Sequence, residues 1–231
     1  MKVYLKKTML FVITFVLAVC SLGIWDNSTA NAASEEQTAK KKVTIYIAGD
    51  SIAAVHPNEF APKMGWGSTL YQYFKGSEKV KITMPIYKEN YQSARYELDH
   101  IVIENHANSG ESLWSFIKKG YFKPILNDVK PGDFVFISFG HNDAGNKKGY
   151  ATTPEKYETL LKQYVKKIQK KGATPVLITS IPRYNFRGNK MVKQFRQYHV
   201  AMRRVGKQLH VPYIGLGGEV NSYFSGLGAK K

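Results

Sequence analysis

The chain has 231 residues and carries 34 lysines and arginines against 17 aspartates and glutamates, a net charge of +17, with 43% hydrophobic and 13% aromatic residues. That length and apolar content exclude a disordered chain and suit one domain with a sizeable core, while a single cysteine excludes a disulfide framework. The positive excess implies affinity for polyanions such as acidic polysaccharide, an anionic cell-wall polymer or an anionic lipid surface. No helix-turn-helix, zinc-finger or RNP pattern is present and the lysines are scattered in pairs, so no nucleic acid is expected as a partner. A solvated basic surface that only aids solubility is the plain alternative.

Residues 1–32 carry the pattern of a secretory signal peptide: Lys2, Lys6 and Lys7, an apolar run from Met9 to Ile24, and a small-residue site at Ala30-Asn31-Ala32. An uncleaved or Cys20-linked lipid anchor is the alternative. Cleavage removes three lysines and one aspartate, taking the charge from +17 to +15, together with the only cysteine. The expected product is secreted, extracellular or cell-wall associated, with no stable membrane insertion after cleavage. Residues 33–42 form a polar leader, and residues 43–231 form the domain.

Residues 43–48 are β-branched and apolar and predict a strand buried on both faces, broken by Gly49 before Asp50 and Ser51. A short helical turn at 52–55 and a helix at 68–74 follow. Residues 77–100 look like an insertion over the surface, with an edge strand at 80–84. Further strands are predicted at 101–105, 134–139, 175–180 and 211–214. Helices are predicted from about 112 to 117, over 154–171, over 191–209 and around 219–224. Strands alternating with helices, and strands with continuous apolar runs, predict a three-layer α/β/α sandwich around a doubly wound five-stranded parallel sheet.

Three strands end in small polar sequences: Gly49-Asp50-Ser51, then Asn105-x-Ala107-x-x-Gly110-x-Ser112, then Gly140-His141-Asn142-Asp143. In a doubly wound sheet these loops share the carboxyl edge, where ligands bind. Acyl transfer needs a nucleophile and donors aimed at the developing oxyanion. Ser51 can offer a hydroxyl and its backbone N–H, Gly110 a backbone N–H, and Asn142 a side-chain amide. Asp50 and Asp143 are expected to organise their loops.

These motifs, with Gly65-Trp66-Gly67, Lys130-Pro131-Gly132-Asp133 and Phe139, resemble the SGNH or GDSL-type hydrolase superfamily, and more closely its rhamnogalacturonan acetylesterase-like branch. The resemblance runs from about Val43 to Ala229 apart from residues 77–100. It implies a flavodoxin-like fold, Ser51 as nucleophile, Gly110 and Asn142 completing the oxyanion hole, and hydrolysis of an acetyl ester on a carbohydrate. No cofactor is implied.

In that family the base and its orienting carboxylate come from a late Asp-x-x-His loop, yet no aspartate follows Asp143 here. The chain therefore resembles a domain truncated before that loop and lacking the closing C-terminal helix, with activity in doubt. His141, His56 and His106 are the histidines expected near the active edge, and His210 is expected at the opposite edge. Glu111 stands where the branch usually has arginine, and Gly215 where it usually has aspartate. Two other functions stay open: a catalytically inactive binder of acidic polysaccharide, and a GDSL-type lipid esterase.

Overall fold

The computed structural model describes residues 42–56, 60–84 and 93–229. The expected signal peptide and nearly all of the polar leader lie outside the described residues. The strands, in chain order, are β1 (Val43–Gly49), β2 (Lys81–Thr83), β3 (Ala94–Glu97), β4 (Ile101–Asn105), β5 (Phe134–Ser138), β6 (Thr174–Ile178), β7 (Phe186–Arg187), β8 (Lys190–Met191) and β9 (Tyr213–Ile214). Seven of them form one sheet in the order β2-β3-β4-β1-β5-β6-β9, and β7 and β8 make a separate hairpin.

The five strands β4-β1-β5-β6-β9 run parallel, as the β-α alternation predicts. Ile45 sits beside Ile103 on one side and Phe134 on the other. The expected five-stranded sheet is corrected to seven, because β2 and β3 add two antiparallel strands to the β4 edge. Residues 77–100 are thus not merely a surface excursion. In β3 the short alternation works: Ala94 and Tyr96 are buried while Arg95 and Glu97 are half-exposed. Arg95 pairs with Glu104 of β4, which fixes the added strand from its polar side.

The helices are α1 (Leu113–Lys118), α2 (Phe122–Asp128), α3 (Pro154–Lys170), α4 (Arg196–Gln208) and α5 (Leu216–Leu227). Ser112 starts α1 with a reciprocal capping box to Ser115, and Thr153 caps α3 ahead of Pro154. α4 begins five residues later than the apolar spacing predicts, because Met191 belongs to β8. The helix expected at 68–74 is two short 3-10 segments, Trp66–Ser68 and Leu70–Tyr73, and 52–55 is a turn.

Strand alternation divides the core. Tyr46, Ala48, Val135, Ile137 and Leu177 face one layer, packed against Phe116, Phe122, Tyr157, Leu161 and Val205 of α1 to α4. Ile45, Ile47, Ile103, Phe136 and Ile178 face the other, against Ala53, Ala54, Trp66, Leu70 and Leu216. Burial on both faces is why consecutive apolar residues occur at 45–48 of β1, 101–103 of β4 and 134–137 of β5. It also leaves the carboxyl ends of the central strands as the place where polar loops can gather.

Candidate active site

β1 ends where its ladder to β5 closes at Gly49 opposite Ser138, and the Asp50 N–H still donates to the Ser138 carbonyl (3.3 Å). The turn that carries Ser51 is set by Asp50. Its carbonyl accepts from Ala53 and Ala54 (both 3.1 Å), and its buried carboxylate accepts from the Ile52 N–H (3.0 Å). Burial pushes the Asp50 carboxyl upward, opposed by the Ile52 amide and by neighbouring His141 and Arg183.

The Gly65-Trp66-Gly67 motif lies on this turn, with the Trp66 N–H donating to the Ile52 carbonyl (2.9 Å). Asn105, at the end of β4, braces the same turn. Its side chain donates to the Ala53 carbonyl (2.7 Å) and accepts from the Ala107 N–H (3.0 Å). The Asn108 N–H in turn donates to the Gly49 carbonyl (2.9 Å), so the second loop is laced to the first.

Gly110 is exposed and has φ +83°, a left-handed conformation that suits glycine. Beside it, Asn142 donates one side-chain N–H to the Glu111 carbonyl (2.9 Å). An amide has two such hydrogens, so one holds the group in place and the other is available to an oxyanion. The second and third loops therefore meet at Glu111. That residue is buried, and its carboxylate is held by Lys119 (2.6 Å), which also donates to the Tyr150 hydroxyl (3.1 Å). The sequence marks Glu111 only as a departure from the family pattern. Its anchoring role needs the eight-residue reach to Lys119, which no local period reveals.

Asp143 is buried and accepts from the Leu113 N–H (3.1 Å) and the Thr152 hydroxyl (3.2 Å). It thus fixes the start of α1 from thirty residues away. Burial raises its pKa to about 7, against the Leu113 amide and helped by the Asp50 charge. Between the ordinary carboxylate range and about 7 the folded state keeps a proton that the unfolded state releases, so this group costs stability as pH rises through that window. Asp143→Asn keeps both acceptor bonds. Its melting temperature relative to the parent is expected to climb from pH 4 to pH 7 and then level off. A difference independent of pH in matched thermal melts contradicts this.

The histidines are placed as follows. His141 donates from Nε2 to the Ile181 carbonyl (2.6 Å) and stacks near Phe195, so it ties the third loop to the segment after β6. His106 is buried against Tyr46 and Glu104. His56 donates from Nε2 to the Ser51 backbone carbonyl (2.8 Å). His210 follows α4 and precedes β9, at the amino edge as expected. Among the described residues none bonds the Ser51 hydroxyl.

A cavity of about 380 Å³ opens beside Ser51, lined chiefly by Ile52, His56, Met64, Trp66 and Leu216. Its wall is mostly apolar, with Ser51, His56, Lys63 and Thr69 as its polar side chains, which suits an ester whose acyl group is small or apolar. Among the described residues no group of three or more His, Cys, Asp or Glu side chains could hold a metal ion, and no helix is long and apolar enough to cross a membrane.

The GDSL-like lipase/acylhydrolase model matches residues 45–228. The chain is 30% identical over 180 residues to rhamnogalacturonan acetylesterase RhgT of Bacillus subtilis, covering 77% of this chain and 66% of that protein. It is 30% identical over 189 residues to the probable rhamnogalacturonan acetylesterase YesY of the same organism, covering 81% and 76%. The chain thus spans just under two thirds of RhgT. Among solved structures, YxiM of Bacillus subtilis superposes with a TM-score of 0.65 at 21% identity, covering 82% of this chain and 48% of that one. Axe2, an acetylxylan esterase from Geobacillus stearothermophilus, superposes at 0.52 and 14% identity, covering 80% and 81%. These two likenesses are of fold alone. With the family model matched along nearly the whole described chain and the three loops gathered at one sheet edge, the chain belongs to the GDSL-like lipase/acylhydrolase family of carboxylic ester hydrolases.

Proposed function

We propose that the chain is a secreted esterase that removes acetyl groups from a carbohydrate, with Ser51 as the nucleophile. The observation that carries this reading is the lacing of three loops: Asn105 braces the Ser51 turn, and Asn142 meets the Gly110 loop at Glu111. Attack by the Ser51 hydroxyl on the acetyl carbonyl, with its proton passing to solvent water because no described histidine bonds that hydroxyl, creates an oxyanion. The Ser51 and Gly110 N–H groups and the second Asn142 N–H are its donors. The intermediate collapses by expelling the sugar hydroxyl, and water then releases acetate. Secretion is supported by the pattern of residues 1–32, and the sugar-ester class by the two acetylesterase relatives.

A second reading, a lipid esterase, is favoured by one observation, the apolar cavity beside Ser51. A series of p-nitrophenyl acetate, butyrate and octanoate separates the two, together with release of acetate from acetylated rhamnogalacturonan. The sugar-ester reading expects the acetate to be fastest, with measurable acetate release from the polysaccharide. A rate that rises to octanoate, with no acetate released, overturns it in favour of a lipid ester.

A further inference from the structure

Lys119 follows directly after α1 and reaches back to the loop that carries Gly110. Its ammonium lies 2.6 Å from Oε1 of Glu111 and donates to the Tyr150 hydroxyl at 3.1 Å. Tyr150 belongs to the stretch after Asn142, and its ring lies under both Lys119 (5.0 Å to the centroid) and Lys147 (4.0 Å). One cation thus spans the second and third loops, the two that hold the proposed Gly110 and Asn142 donors. Glu111 stands where the related branch usually has arginine, so this carboxylate–ammonium pair belongs to this chain rather than to the family pattern.

The pair is lopsided. The Glu111 side chain is 5% exposed and that of Lys119 is 40% exposed. Two exposed charges contribute little to each other, but here one member is enclosed. Its second oxygen, Oε2, meets no donor, and Lys119 is its one ion-pair partner, among the described residues. Desolvation lowers the Lys119 pKa, but the Glu111 carboxylate and the Tyr150 hydroxyl outweigh it and raise the pKa, so the cation keeps its charge. Removing the cation from such a pair leaves a buried charge uncompensated.

Without Lys119 the Glu111 carboxylate gains by moving to water, and the backbone that carries it is the backbone that places the donors. The Glu111 carbonyl accepts from the Asn142 side chain (2.9 Å). Gly110, one residue before, is exposed, and a Cβ there would meet nothing within 4 Å, so no packing resists rotation of this peptide. We propose that Lys119 is a positioning residue for ester hydrolysis: by holding Glu111 inside the fold, it keeps the Asn142 amide and the Gly110 N–H aimed at the developing oxyanion. It acts through Glu111 and contacts no reacting atom. The catalytic consequence rests on the proposed function; the placement of Asn142 does not.

The test pairs kinetics with a spectrum of the whole chain. Lys119→Met is expected to lower kcat for p-nitrophenyl acetate by at least about tenfold with KM changed less than about twofold, because the oxyanion exists only beyond the ground state. Lys119→Arg, which keeps the charge, is expected to stay within about threefold of the parent. In an Asn142→Ala background, Lys119→Met is expected to cost less than about threefold more, since the group it positions is already gone. In an amide proton–nitrogen correlation spectrum, the Asn142 side-chain signals are identified by their loss in Asn142→Ala. They are expected to move toward the positions of solvent-exposed asparagines in Lys119→Met and to stay in place in Lys119→Arg. If Lys119→Met does not fold, Lys119→Gln, which keeps a donor near Glu111 but no charge, is read in the same assays, with a fall in kcat of at least about threefold expected.

The proposal is overturned if the folded variant keeps the parent kcat and the parent Asn142 signals, or if its loss falls on KM rather than kcat. It is equally overturned if Lys119→Arg is as impaired as Lys119→Met, or if the losses of Lys119→Met and Asn142→Ala multiply. The esterase reading is decided separately. Hydrolysis unchanged in Ser51→Ala counts against that reading, and the Asn142 signals, read without turnover, still decide the placement.

Discussion

Ser51→Ala is expected to lower hydrolysis of p-nitrophenyl acetate by at least about a hundredfold while leaving the fold and its melting temperature in place. The reasoning is geometric. The Ser51 side chain is half-buried at the mouth of its cavity and makes no bond to the rest of the protein among the described residues. Removing its oxygen therefore costs the fold little and the chemistry much. Asn142→Ala provides the complementary measurement. It leaves Ser51 untouched and removes one proposed oxyanion donor, so kcat is expected to fall about 10²- to 10³-fold with KM little changed. The Asn142 amide is already held by the Glu111 carbonyl, so its second N–H is oriented before substrate arrives. A Ser51→Ala protein as active as the parent would place the chemistry elsewhere and sink the assignment of all three residues.

Gly65→Ala is expected to destabilise the domain by about 3 kcal/mol, a fall in melting temperature of about 6–12 °C, and to impair hydrolysis even where the protein remains folded. A Cβ at Gly65 would lie 2.2 Å from the Ala54 carbonyl oxygen and 2.7 Å from the Ala53 carbonyl carbon, both backbone atoms that cannot swing aside. Gly65 has φ −84° and ψ 144°, which any residue can adopt, so the cost is the contact alone and not a backbone preference. Relief requires moving the turn that carries Ser51. Gly67 meets the same limit, 2.5 Å from the Ala53 carbonyl oxygen and 2.7 Å from Asn105 Nδ2. Gly218→Ala is the contrast: its Cβ meets nothing within 4 Å on a helix, so it is expected to be neutral or stabilising by about 0.5–1 kcal/mol. Equal melting temperatures for Gly65→Ala and Gly218→Ala would show that the 65–67 segment is free to shift.

Those glycines illustrate how far the sequence alone carries. Gly65-Trp66-Gly67 is visible as a family motif, but its physical reason, a segment pressed onto Ala53 and Ala54, exists only once distant parts of the chain meet. The central strands are legible because burial on both faces imposes an apolar residue at nearly every position of β1, β4 and β5. β3 is not, since four residues in which Arg95 and Glu97 alternate with buried Ala94 and Tyr96 give too short an alternation to stand out. Their charges are satisfied by partners on other elements: Arg95 by Glu104, Glu97 by Lys42. The hairpin of β7 and β8 has two residues per strand and escapes any periodic reading, so the helix after it is placed too early. At the site, the polar residues at strand ends are legible, whereas Asp143 capping α1 and Lys119 holding Glu111 join residues that no local pattern links.

The sheet order has a consequence for how the chain acquires its structure. β1 lies between β4 and β5, and its Ile45 must find Ile103 and Phe134, which are made 58 and 89 residues later. At a synthesis rate of about 5–20 residues per second, β1 waits about 4–18 s before its second neighbour exists. Until β4 is made it has no neighbour to join, and the pairing it awaits is the non-local kind that forms slowly. The segment that ends in Ser51 is thus the first part of the domain to be made and must wait for later strands on both sides, and it is where a folding helper would have the most to shield.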